Sequence, residues 1–205
     1  MTTYAILKAD LIDLTENNSS DFATESDQFI DTVELRLSRE LRNCPELYKH
    51  QTASLTIGDA YITKPSDLIT MISFSLLSSA SKRTAIEYRD VSFINEYWPT
   101  RSSTGTPKFY ADWNDDVFVV APTPSAALTI EMNYRKRFTA LSSSNTTSWL
   151  TANAYDLLLY GCLIEAAIYD KNPQMMQLYE KRYQEALVSV NAELENRRAD
   201  QSNKG

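Results

Sequence analysis

Apolar residues change their period twice along this 205-residue chain. Over residues 4–14, Ile6, Leu7, Leu11 and Leu14 fall close to one helical face, and the polar run 16–21 ends the pattern. From about residue 21 to 43, Phe22, Phe29, Ile30, Val33, Leu37 and Leu41 recur at helical spacings while Glu, Asp and Arg fill the other faces. Pro45 stops this second helix, because the residue before a proline disfavours the helical region. The middle of the chain reads as strands. Residues 53–57 and 60–63 flank Gly58-Asp59 as a short hairpin, 69–77 is a β-prone run, and 84–89 alternates polar with apolar. A short helix over 90–98, closed by Pro99, precedes three further strands at 108–113, 117–120 and 126–138. No helix of crossover length separates these last three, which predicts antiparallel rather than βαβ pairing. After a polar loop at 142–148 the helical period returns. Asn153 is placed to cap a helix carrying Leu157, Leu158, Leu159, Leu163, Ile164 and Ala167, apolar over a wide arc and so central in the core. Asn172 and Pro173 break it. A longer helix over 174–198 then carries Met175, Leu178, Tyr179, Ala186, Val190 and Leu194 on one stripe.

The pattern predicts an α+β fold: a helical bundle from the N- and C-terminal helices with an inserted antiparallel β-domain. The divisions fall at 1–52 for the N-terminal helices, 53–140 for the β region, 141–198 for the C-terminal helices and 199–205 for a flexible tail. A chain of this length buries roughly 70% of its extended surface on folding, and 43% hydrophobic residues supply a core. No run approaches the roughly 18 apolar residues of a membrane span, and Lys8, Asp10 and Asp13 interrupt the N-terminus, so the chain reads as one with neither secretion signal nor membrane anchor. The triplets at Asn17, Asn18 and Asn145 then read as polar loops.

Catalytic patterns find little material. His50 is the single histidine, placed in a polar connector, so neither a His-paired nucleophile nor a multi-histidine metal site can be built within one chain. Cys44 and Cys162 stand far apart and read as buried thiols. Four glycines form no phosphate-cradling loop, and Asp115-Asp116 reads as a solvated turn. The expectation is a protein without enzymatic activity, metal or cofactor. A net charge of -7 argues against gripping DNA through its phosphates, though a like-charged wall lets a duplex slide past. Two basic features fit binding: Arg135, Lys136 and Arg137, interleaved between Tyr134 and Phe138, as a contact for DNA or an acidic partner, and Arg197-Arg198 near the C-terminus. Solvated bases at a strand end, and cations complementing a helix dipole, explain the same residues. Tyr97, Trp98, Tyr110 and Trp113 either fill the core or stack on sugars, the latter implying a tail-associated carbohydrate- or host-binding module.

A family resemblance carries more weight than any of these. The helix Glu34-Leu35-Arg36-Leu37-Ser38-Arg39-Glu40-Leu41-Arg42, preceded by Phe29-Ile30, resembles the one that opens the head-to-tail adaptor proteins of short-tailed phages. Gly58, the strand 60–63 and Pro65-Ser66-Asp67-Leu68 resemble the family's hairpin and Pro-x-Asp-hydrophobic entry to the next strand. Gly105-Thr106-Pro107-Lys108-Phe109-Tyr110, residues 117–122 with Pro124, and 130–134 are similar to its sheet. Thr147-Ser148-Trp149-Leu150-Thr151 and the segment Asp156 through Ala166 resemble its NWL element and core helix. The pieces keep the family's order over residues 22–198, with Tyr155 where proline is usual and Ser148 where Asn is common. The resemblance implies a dodecameric ring of neighbouring copies, a virion neck or tail location with passage through the host cytoplasm during assembly, and portal and tail nozzle proteins as partners. It also implies genomic DNA passing without sequence-specific binding, and portal docking by the C-terminal end, where Arg197, Arg198 and Lys204 lie.

Overall fold

A computed structural model describes residues 2–77 and 82–202. Its elements run α1 (Tyr4–Thr15), α2 (Ser20–Glu40), a 3₁₀ turn (Pro45–Leu47), β1 (Tyr48–Leu55), β2 (Tyr61–Thr63), β3 (Leu68–Leu77), β4 (Arg83–Ala85), β5 (Glu87–Tyr88) and α3 (Val91–Tyr97). They continue with β6 (Thr104–Gly105), β7 (Phe109–Asp112), β8 (Val117–Ala121), β9 (Thr123–Pro124), β10 (Leu128–Lys136), α4 (Trp149–Asn153), α5 (Tyr155–Tyr169) and α6 (Pro173–Ser202). The fold is α+β. Two compact units divide the chain: a helical unit of residues 1–47 and 137–205, and a β unit of residues 48–136 inserted into it.

In the helical unit α5 packs against α1, α2, α4 and α6. Leu157, Leu158, Cys162 and Leu163 are fully buried and share one core with Leu7 and Leu11 of α1, Ile30, Val33 and Leu37 of α2, and Tyr183 of α6. The closest approach is at Gly161, where a Cβ would stand 2.5 Å from Val33 Cγ1 and 3.3 Å from the Tyr183 ring. Capping sets the entry to α5 differently from the sequence expectation. Ser148 and Thr151 form a reciprocal capping box that starts α4 instead, and Asn153 donates its side-chain amide to the Trp149 carbonyl. Helix α5 then begins after Ala154 without a side-chain cap. The buried stripe of α6 also differs, running through Tyr183, Ala186, Val190 and Leu194 with Met176, Tyr179 and Leu187 alongside, while Leu178 stays exposed.

The β unit is layered. The first four-stranded sheet has the order β1-β10-β3-β4 and the second β2-β8-β7-β5, while β6 and β9 pair as a small parallel ribbon. Leu55, Phe74, Ile130, Met132 and Tyr134 of the first face Ile62, Tyr110, Phe118 and Val120 of the second, with the Phe74 and Tyr110 rings stacked at 4.6 Å. Helix α3 covers the back of the second sheet, burying Ile94 on Ala111, Val119 and Ala121. Strand β8, Val-Phe-Val-Val-Ala, is therefore buried on both faces and shows no polar alternation.

Three sequence expectations are corrected here. The strands around Gly58 do not pair with each other: β1 pairs with β10 and β2 with β8. Gly58, at φ 75°, turns the chain from one sheet to the other so that Leu55 and Ile62 reach the same core from opposite sides. The run 84–89 likewise splits at buried Ile86, β4 pairing in the first sheet and β5 in the second. Strand β5 lies parallel to β7 with α3 between them, a small crossover in a mainly antiparallel unit. His50 lies in β1 rather than in a connector.

Leu163→Ala, at a fully buried position of α5, is expected to cost about 2–5 kcal/mol. Gly161→Ala should cost about 1–3 kcal/mol through overpacking against Val33, in spite of alanine's higher helix propensity. Denaturant melts check both, and a loss below about 0.5 kcal/mol at either position would contradict close packing there.

Candidate interaction surfaces

The basic segment at the end of β10 is built around its aromatics. Tyr134 is fully buried, its hydroxyl donating to Asp67 Oδ1 at 2.8 Å and lying 3.0 Å from Gln51 Oε1. Lys49 Nζ closes the cluster on Asp67 Oδ2 at 2.9 Å. Burial alone would raise the Asp67 pKa, but the bonds from Lys49 and Tyr134 hold it below the usual carboxylate range. Phe138 is buried in the helical core. Neither aromatic is available to stack on a base. Arg135 and Lys136 are half-buried, which leaves Arg137 as the exposed cation of the three.

Immediately after Arg137 the chain is fastened to α2. The Phe138 N–H donates to Ser38 Oγ at 3.2 Å, Ser38 donates to the Glu34 carbonyl at 2.8 Å, and the Leu141 N–H donates to Glu34 Oε2 at 3.0 Å. Glu34 is only 4% exposed, and its Oε1 has no hydrogen-bond partner among the described residues. Burial pushes its pKa up to about 7, with the Leu141 N–H opposing and Asp31 adding to the rise. The sequence held a signal for this acid that the helical pattern passed over. Position 34 lies four residues after Ile30 and three before Leu37, on the apolar stripe and not on the outer faces where the charges were placed.

Toward the C-terminal end of α6, Arg197 pairs with Glu193 at 3.0 Å, both side chains more than half exposed. Such a pair contributes little and separates readily. The backbone of α6 continues to Ser202, past the end at residue 198 that the pattern suggested. The Arg198 side chain and Lys204 lie outside the described residues. A groove of about 620 Å³ opens along α5 and α6, with Ile164, Ile168 and Met176 in its wall and Arg36, Glu180 and Lys181 at its rim. No sequence motif marks it, because its residues come from both sides of the Pro173 break.

On the β unit, Tyr110 is in the core, whereas Tyr97 and Trp113 are exposed by 38% and 42%. The Tyr97 ring stacks on Phe93 and meets the face of Phe109 edge-on, so much of it is already engaged. The Arg101 guanidinium sits 5.7 Å from the Tyr61 ring and 5.3 Å from Trp113, and its Nη2 donates to Asn95 at 2.7 Å. His50 Nε2 lies 3.1 Å from Glu131 Oε1, and Arg83 Nε reaches both Glu131 oxygens at 2.9 Å. Arg83, its first partner, holds the Glu131 carboxyl below its ordinary range, with His50 adding to the effect. Asp115 and Asp116 are exposed in a turn that the Asn114 side chain closes by accepting from the Asp116 and Val117 N–H groups. Cys44 and Cys162 are buried and form no disulfide, and burial raises the Cys162 pKa. No group of three or more metal-ligating side chains occurs among the described residues, and no helix there is long and apolar enough to cross a membrane.

The family that the sequence matches places this helical unit with its inserted β unit among the phage head–tail adaptors. The sequence matches the SU10 adaptor protein family over residues 2–204, and the chain is a member of that family. No curated protein matches it.

Because the folded-state pKa of Glu34 is raised from 4.5 to about 7, its stabilising contribution is complete below pH 4.5 and is lost as pH rises through 7. Glu34→Gln keeps an acceptor for the Leu141 N–H and removes the charge, so it should raise the melting temperature at pH 8 and flatten its fall between pH 5 and 8. A variant that melts in parallel with the parent across that range would show that Glu34 does not titrate there.

Proposed function

We propose that this protein is the ring-forming adaptor beneath the portal, joining the DNA-filled head to the tail nozzle. Membership of the adaptor family over almost the whole chain carries the reading. The physical features support it. Amphipathic helices of the helical unit can pack between neighbours in a closed cyclic arrangement, a dodecamer as the resemblance implies. A net charge of -7 suits a channel that DNA crosses without adhering. In this reading the C-terminal end of the chain meets the portal through Arg197, Arg198 and Lys204, whose cations suit acidic groups on the partner. Arg135, Lys136 and Arg137 are a second candidate contact for a partner or for passing DNA.

Electron microscopy of purified protein mixed with its portal tests the reading: rings on the portal are the expected outcome, and glycan affinity without portal decoration would favour a host-binding module. Deleting residues 199–205 should abolish or weaken decoration while the melting temperature barely moves, since the segment holds no large apolar residue that could contribute to a core. Full decoration by the truncated protein would move docking away from the C-terminus.

A further inference from the structure

Helix α1 carries apolar residues on two sides, and among the described residues only one side is covered. Leu7 and Leu11 enter the core, while Ala5, Ile6, Ala9 and Asp13 share the opposite arc and are exposed, Ile6 by 42%. The α5–α6 groove poses the complementary problem, with Ile168 exposed by 53% beside half-buried Met176. Lengths agree. Ile6 and Asp13 are separated by about 10 Å along α1, and the groove wall from Met176 to Gln184 extends about 12 Å along α6 at 1.5 Å per residue. Charges agree as well: Asp13 on the arc and Lys181 on the groove rim are both exposed, and neither makes an ion pair among the described residues.

We propose that the α5–α6 groove receives helix α1 of a second copy of this chain, Ile6 seating against Ile168 and Met176 and Asp13 meeting Lys181. The inference rests on the adaptor reading for its biological setting and on these two surfaces for its chemistry. Because the patches are different parts of one unit, the contact is heterologous and propagates from copy to copy, as a ring requires. Alanines at positions 5 and 9 let the incoming helix approach closely. A contact of one helical face is small beside the roughly 1,200–2,000 Å² of a stable standard interface. It is therefore weak between two free copies and becomes persistent when a common support raises their effective concentration.

Cysteine crosslinking reads the contact directly, and the native Cys44 and Cys162 are fully buried and do not compete. Ala9→Cys and Gln177→Cys proteins, each verified as folded by circular dichroism, are treated with a short bis-maleimide at high concentration and again on portal-bearing particles. A mixture of the two should give a covalent dimer that neither gives alone, and the double variant a ladder of higher oligomers. Adding Lys181→Glu should lose the ladder, and combining it with Asp13→Lys should restore it. The proposal is overturned if the mixture yields no dimer in either setting, or if one single variant crosslinks to itself as efficiently as the mixture. Portal decoration is scored separately: decoration without these crosslinks removes this contact and leaves the adaptor reading, whereas crosslinks without decoration remove the adaptor reading and leave the contact.

Discussion

The crossing of α5 over α2 at Gly161 is the constraint on which the helical unit depends. With Val33 Cγ1 only 2.5 Å from where a Cβ would be, the two helices meet at a distance that no side chain at position 161 permits. That approach brings α5 close enough to be enclosed by four other helices, and the fully buried Tyr183 ring packs against the same bare position at Gly161. Tyr183 is then held through its hydroxyl by Glu40 and capped by the Arg36 guanidinium 4.3 Å from its ring, which ties α6 to the end of α2. A single missing side chain thus positions both long helices, and with them the groove and the C-terminal end that are offered to partners.

Polar groups inside this unit bear on its connections. Glu34 and Ser38, on the buried side of α2, satisfy the Phe138 and Leu141 N–H groups just where the chain returns from the β unit. An irregular segment with unpaired buried amides would be costly, and these two side chains remove that cost. They introduce another in exchange, a carboxyl whose ionisation is opposed by its surroundings near neutral pH. The β unit solves a different problem. By exchanging strands between sheets at Gly58 and at Ile86 it closes two four-stranded layers around one core, and α3 covers the second sheet's outer face. Its exposed aromatics therefore flank α3 and the strand ends and do not lie on a bare sheet.

Hydrophobic period alone determined the order and type of the elements: two helices, a run of strands broken by one short helix, then a helical end. That period is a local property, since a helix or strand that buries one face writes its repeat into contiguous residues. Leu157, Leu158 and Leu163 marked the core helix for the same reason. Local pattern could not decide which strands pair. Residues 53–57 and 60–63 look like hairpin partners because a glycine turn separates them, and only the need of Leu55 and Ile62 to enter one core from opposite sheets sends them apart. Nor could it reveal Glu34 as buried, because the amide donors that make the site tolerable come from residue 141, more than a hundred positions away. The groove depended likewise on α5 and α6 folding back on each other across Pro173, and the exposed arc of α1 on the absence of a covering element among the described residues. Pairing, burial of charge and surface shape are set by contacts between distant segments, so they were decided only by the tertiary structure.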